Sequence, residues 1–275
     1  MLHFNHRLRG AAARADAVFC ERVAAALGLR WRGGEWKEVP EKASEAAARA
    51  ARQAFFAEEL KALGAHALWL GHQQEDIAET MLMRLARGSG AAGLAAPRPV
   101  QRMGGERVNL RPLLTLKKSE IVAGLKAVGA TWREDATNAD GSFFRNRIRR
   151  DVVPAWRKAA AERDALAAAA LSRELLDEDD EALGAWLREL APITRTGALS
   201  RRRLAGKPRA LVRRALLGWL AAEGVGGVLS RQAFTALLDD VMRGRKTRHS
   251  LGAGGFAEIG VRQVRRVPVP TKNCR

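Results

Sequence analysis

The chain has 275 residues, 47% hydrophobic and 28% charged, values of a folded soluble protein that exclude disordered, collagen-like and disulfide-scaffold classes. Lys plus Arg number 48 against 30 Asp plus Glu, a formal net charge of +18 that points to a polyanionic partner, nucleic acid first. Cys20 and Cys274 are too few for a disulfide framework, the start lacks a signal-peptide pattern and no run of about 18 apolar residues occurs, so a reducing cytoplasm is the expected compartment and a membrane is not an expected partner.

In chain order, residues 1–4 read as a short apolar strand, followed by a helix over Ala11–Leu27 with Val18, Phe19, Val23 and Leu27 on one face and Gly28 at its stop. Ser44 can cap a helix running to about Leu63, with Phe55, Phe56 and Leu60 turned inward and Gly64 at its end. Ala67–Leu70 is an apolar run suited to a buried parallel strand, and Glu75–Leu85 returns to helical spacing. Strand, helix, strand, helix predicts right-handed βαβ units around a parallel sheet up to about Trp156, with any ligand at the carboxyl ends of the strands.

Residues 162–189 hold nine acidic and three basic residues, including Asp177–Glu181, and predict an acidic helical linker over 157–194. From Arg195 to Arg275 there are 18 basic and four acidic residues, so a net +14 is concentrated in the last 81 residues. Of the 48 basic residues 38 are Arg, as a GC-rich coding sequence would also give, but such bias does not explain the localisation. Arg209–Ala222 and Ser230–Met242 predict amphipathic helices, and Phe256–Val269 alternates weakly like a terminal strand.

The densest chemical constellation is Gly71-His72-Gln-Gln-Glu75-Asp76-Ile-Ala-Glu79-Thr80, where a strand end delivers His72 and the next helix opens with acids. Asp76 and Glu79, three apart on one helical face, are candidates to hold Mg²⁺ and orient a reacting group beside a nucleotide. The competing structural reading is that these acids only offset the helix dipole while His72 accepts an ordinary hydrogen bond. Arg87-Gly88-Ser89-Gly90 could meet phosphate, although as a bare pattern a helix C-cap and loop suit it better. Asp135–Arg150 feeds turn residues into four arginines, with Arg145 and Arg149 on one face at a spacing that matches phosphate oxygens. For Phe143 and Phe144 a core role is the better reading.

The ordered series His3–Arg9, Glu45–Arg52, Gly71–Thr80, Arg84–Gly90, Arg111–Leu114 and Asn138–Arg149 resembles the tRNA(Ile)-lysidine synthase family. The resemblance implies an α/β PP-loop ATPase domain, Rossmann-like with a parallel sheet, over 1–156, and a smaller, mainly helical, basic tRNA-binding domain over 195–275. It implies a ligase that uses ATP and Mg²⁺ to adenylate the C2 oxygen of the wobble cytidine in a CAU-anticodon tRNA(Ile), after which L-lysine displaces AMP. His72, Asp76 and Glu79 would be catalytic, with Asp76 and Glu79 at the metal. Arg87, Gly88, Ser89 and Gly90 would bind nucleotide, and Arg52, Arg84, Arg145, Asn146 and Arg149 would bind substrate.

The family's S-G-G-x-D-S phosphate loop, which precedes the segment matched by residues 1–9, does not occur in this sequence. Its strand would lie in the middle of a 3-2-1-4-5 sheet, so two unpaired edges, low stability and impaired ligation are expected. Arg7 stands where the family usually has Gly, Glu75 where it has Asp, and Gln53 where it has an aromatic residue. An alternative is a non-catalytic RNA-binding remnant of the family, with salt-sensitive tRNA binding independent of ATP. A PP-loop tRNA thiolase is disfavoured by the two widely separated cysteines.

Overall fold

The computed structural model describes residues 1–41, 44–134 and 143–269, which form two compact units, Met1–Asp177 and Glu178–Arg275. Asp135–Ser142, including Asn138, and Cys274 lie outside the described residues. No described helix is long and apolar enough to cross a membrane.

The first unit begins with β1 (Leu2–Asn5), α1 (Ala11–Ala26), β2 (Arg32–Glu35), α2 (Glu45–Ala62), β3 (Ala67–Trp69) and α3 (Gln74–Leu85). The Ser44 side chain accepts the Ala47 N–H at 3.1 Å, the N-cap expected for α2. A short helix α4 (Ala91–Leu94) leads to strands β4 (Val100–Arg102) and β5 (Val108–Leu110), then α5 (Lys118–Ala127). Helix α6 (Phe144–Arg147) runs through a π turn at Ile148–Val152 into α7 (Val153–Ala159), and α8 spans Ala165–Leu190. The acidic run Asp177–Glu181 therefore sits inside one long helix, and the division between units falls there too.

β1 pairs with β2 and β3 with β5, both parallel, while β4 joins β5 antiparallel. These strands form two separate sheets, and β1 and β3 share no hydrogen bonds. The break lies between the two strands expected to flank a central one. On one face α2 packs Phe56 and Leu60 against Leu68 of β3, with Leu2 of β1 joining the same cluster. On the other face β3 leaves Trp69 71% exposed. A second cluster of Ile77, Leu114, Ile148, Val153 and Leu166 fixes α3 against the segment that begins at Phe144.

In the second unit β6 (Leu199–Ser200), α9 (Arg201–Leu204), α10 (Arg209–Ala222) and α11 (Arg231–Arg243) precede β7 (Thr247–Ser250), β8 (Phe256–Ile259) and β9 (Gln263–Val267). The expected single strand over 256–269 is instead two antiparallel strands joined at Gly260, in a sheet of order β6-β9-β8-β7. Trp219, Leu216, Leu237 and Leu251 are buried with Ile259 and Val264 in one core, where the apolar faces of α10 and α11 meet this sheet.

Candidate functional site

The turn after β3 carries Gly71 and His72 away from the strand's carboxyl end, and α3 begins at once. Asp76 closes that turn, accepting the Gln73 N–H on Oδ2 at 2.8 Å. Glu75, one residue earlier, accepts the Lys118 N–H at 3.0 and 3.1 Å and so caps α5 rather than facing the site. Asp76 is 8% exposed and Glu79 1% exposed, and neither is left without a counter-charge. Arg145 Nε donates to Glu79 Oε2 at 2.7 Å and its Nη2 donates to Asp76 Oδ1. Arg149 Nε donates to Glu79 Oε1 at 2.5 Å, and its Nη2 donates to Glu79 Oε2 at 3.1 Å. The Glu79 hydrogen bond in turn strengthens the Arg149 cation, raising its pKa.

The shared face of Asp76 with Glu79, and of Arg145 with Arg149, thus forms one acid–arginine cluster. It bears directly on the metal expectation for Asp76 and Glu79. Mg²⁺ takes oxygen ligands, but each of these carboxylate oxygens already faces an N–H donor, and an ion placed here would sit beside two guanidinium cations. Among the described residues no group of three or more His, Cys, Asp or Glu is arranged to hold a metal. The residues do not fit a divalent ion in this arrangement.

Around this cluster lie three cavities of about 440, 310 and 350 Å³ that share lining residues. Arg49 lines all three, Arg52 two of them, and His72, Arg111 and Arg145 two each. Arg84 and Arg87 line the third, and Asn146, Phe143 and His6 the second. Arg49, Arg52 and Arg87 make no ion pair among the described residues. Burial and the neighbouring Arg49 lower the pKa of Arg52 and Arg111, and burial, Arg98, Arg87 and Arg49 lower that of Arg84. Cations crowded together in a partly dry cleft make a strong anion site. A larger cavity of about 640 Å³ lies by His66, Met103 and Arg107, where β3 and β5 start, and contains none of these groups.

Gly88, Ser89 and Gly90 are not among the cleft-lining residues. They form the turn after α3, in which Gly88 adopts φ 71° and Arg84 Nη1 donates to the Gly93 carbonyl. Phe144 packs in the core as expected. Arg49 and Arg111 were present in the motif series without an assigned role. Their signal was position: Arg49 lies one helical turn before Arg52, and Arg111 directly follows β5.

Arg111 is 6% exposed and has only neutral partners. Its Nη1 donates to the Arg98 carbonyl at 2.7 Å, Nη2 to Gln101 Oε1 at 2.8 Å and Nε to His72 Nδ1 at 3.3 Å. Burial pushes the His72 pKa down to about 4, helped by Arg111, Arg145 and Arg49 and opposed by Asp76. His72 is therefore a neutral ring at physiological pH.

The sequence profile of the PP-loop domain family matches residues 1–156. Among curated relatives, the tRNA(Ile)-lysidine synthase of Symbiobacterium thermophilum is 44% identical over 196 residues, 69% of this chain and 40% of the relative. That of Geobacter sulfurreducens is 46% identical over 157 residues, 55% of this chain and 33% of the relative. That of Methylobacterium nodulans is 40% identical over 262 residues, 91% of this chain and 74% of the relative. The matched part spans 40, 33 and 34% of the first three relatives' lengths. Among solved structures the U34-tRNA thiolase NcsA from Methanococcus maripaludis, with its [4Fe-4S] cluster, superposes with a TM-score of 0.52 at 13% identity, over 64% of this chain and 60% of that one. At that identity the likeness is one of fold.

Proposed function

The chain belongs to the tRNA(Ile)-lysidine synthase family of PP-loop proteins, and from that premise we propose that it acts in the cytoplasm in the ATP-dependent ligation of L-lysine to C2 of the wobble cytidine of a CAU-anticodon tRNA(Ile). The observation that supports this reading is the arginine-lined cleft at the carboxyl ends of β3 and β5, with the neutral His72 in its wall.

The C2 oxygen of cytidine is a poor leaving group, so the reaction needs that oxygen to attack the α-phosphate of ATP and release diphosphate before the lysine ε-amine, arriving uncharged, displaces AMP at C2 and gives up a proton to water. Arg49, Arg52, Arg84 and Arg87 would bind and orient the phosphates of ATP and of the anticodon, since guanidinium forks match phosphate oxygens. Asp76 and Glu79 hold Arg145 in the cleft wall, so their task is to fix a cation against a developing negative charge. Mg²⁺ would arrive with the triphosphate and neutralise part of its charge.

The test is incorporation of labelled lysine into a tRNA transcript with a CAU anticodon, with and without ATP. Incorporation that needs ATP supports ligation, and its absence under all conditions overturns it. The second reading, tRNA binding without ligation, draws on the net +14 of residues 195–275. It expects the same transcript to be retained on a filter with no lysine attached.

A further inference from the structure

His72 and Arg111 meet across the cleft from different parts of the first unit, His72 after β3 and Arg111 directly after β5. Three of the Arg111 donors are directed at fixed acceptors, and two of these, the Arg98 carbonyl and Gln101 Oε1, hold its plane in place. The third, Nε–H, points to His72 Nδ1. A guanidinium has no acceptor and does not lose its proton in a protein, so the nitrogen that faces it must offer a lone pair. The His72 Nε2 atom makes no hydrogen bond among the described residues, and the ring lines the cleft with Arg49 and Arg145.

We infer that Arg111 is a positioning residue that fixes His72 as the Nε2–H tautomer, making it a hydrogen-bond donor to a substrate oxygen rather than a general base. In this tautomer the only lone pair of the ring is committed to Arg111, and the free nitrogen carries a hydrogen. Protonating Nδ1 would set two N–H groups against each other in a buried place already rich in cations. His72 therefore gives no basic nitrogen to the lysine ammonium. It offers an uncharged N–H to an oxygen that gains negative charge, the phosphate or the C2 oxygen of the reaction proposed above; that last role rests on the proposed function. The tautomer itself does not.

The experiment is a two-bond ¹H–¹⁵N correlation spectrum of the full chain with ¹⁵N-labelled histidine at pH 7, His72 being assigned from the signal lost in His72→Gln. The expected result is a neutral ring protonated at Nε2. An Nδ1–H tautomer or an imidazolium in the unmutated chain overturns the inference, with no mutant needed. Arg111→Met removes the donor at similar volume and should move His72 towards the Nδ1–H form, while Arg111→Lys, which keeps a donor, should return it. An Arg111→Met chain that unfolds in urea like the original and leaves the His72 signals unchanged also overturns it. Because the spectrum needs no turnover, absence of lysine incorporation would count against the proposed ligation and leave the tautomer result standing.

Discussion

Glu79 is 1% exposed, and both of its oxygens are taken by Arg145 and Arg149. Glu79→Gln keeps the volume and removes the charge, leaving two guanidiniums without their main counter-ion. We expect a loss of about 2 kcal/mol in unfolding free energy by urea titration, less than for a fully buried pair because both arginines keep part of their hydration. Asp76→Asn should cost less, since an amide oxygen can still accept the Gln73 N–H. Equal urea midpoints for Glu79→Gln and the parent chain would show that the acid does not anchor these arginines. The histidines give a second test. Burial lowers the pKa of His3, His6 and His72, the last to about 4, from an unfolded value of 6.5. As the pH falls below 6.5, the unfolded chain takes up protons that the folded chain refuses, so stability should decline, by at most about 1.4 kcal/mol per pH unit for each ring. The depressed carboxyls of Asp16, Asp151 and Asp164 lose their contribution only below their unfolded value of 3.8, outside this window. A urea midpoint that stays flat from pH 7.5 to 5, or falls equally in His72→Gln, would contradict the assignment. Arg7 is a departure whose physical effect was legible before the structure: it adopts φ 59°, the region that a glycine enters without strain, and its N–H is held by Asn5 Oδ1 at 2.8 Å.

At the scale of elements, long periodic segments were legible and short ones were not. Helix α10 spans Arg209–Ala222 as its apolar spacing requires, and α1, α2, α3 and α11 differ from their expected ends by one or two residues. The three-residue strands β4 and β5 carry no readable alternation, being Val-Gln-Arg and Val-Asn-Leu around a Gly104-Gly105 turn. Yet they supply Gln101 and position Arg111, so half of the His72 environment was hidden with them. The segment expected as an acidic helical linker over 157–194 holds one continuous helix, α8, over Ala165–Leu190. In the fold, Asp177 pairs with Arg98 and Arg173, and Asp180 with Arg214. The single terminal strand expected over 256–269 conceals a hairpin, and Gly255 marks its entry with φ 95°. A Cβ there would lie 2.2 Å from the Val267 carbonyl oxygen, so Gly255→Ala must push β8 and β9 apart. The expected loss is at least about 2 kcal/mol. Gly218→Ala is the control, since nothing lies within 4 Å of its Cβ and it sits inside α10, where alanine should stabilise by about 0.5–1 kcal/mol. Opposite shifts in the two thermal midpoints would support this account, and parallel shifts would sink it.

For the whole molecule the question is where the excess of +18 acts. In the first unit much of the cationic surface faces the cleft, where Arg49, Arg52 and Arg87 have no carboxylate partner among the described residues. In the second unit some arginines are spent on the fold: Arg201 donates to the Gly260 and Val261 carbonyls, Arg209 pairs with Asp239, and Arg214 with Asp180. Others are exposed and have no side-chain partner among the described residues, namely Arg213, Arg231, Arg262 and Arg265. Coding bias accounts for arginine being common, and solvent is the ordinary place for a guanidinium, so contact with a polyanion is what gives these side chains a role. If these side chains meet the phosphates of a tRNA, each releases counter-ions on binding. The logarithm of the association constant should then fall linearly with the logarithm of salt concentration. Replacing Arg213 and Arg231 together with alanine should make that slope shallower by about 2, roughly 1 for each lost phosphate contact, and weaken binding to all tRNA sequences alike. Filter retention of CAU-anticodon and control transcripts across a salt series measures both quantities. An unchanged slope would mean that this surface does not touch nucleic acid, and that tRNA is held by the cleft alone. A loss confined to the CAU transcript would instead make these arginines readers of sequence, which side chains that meet only phosphates cannot be.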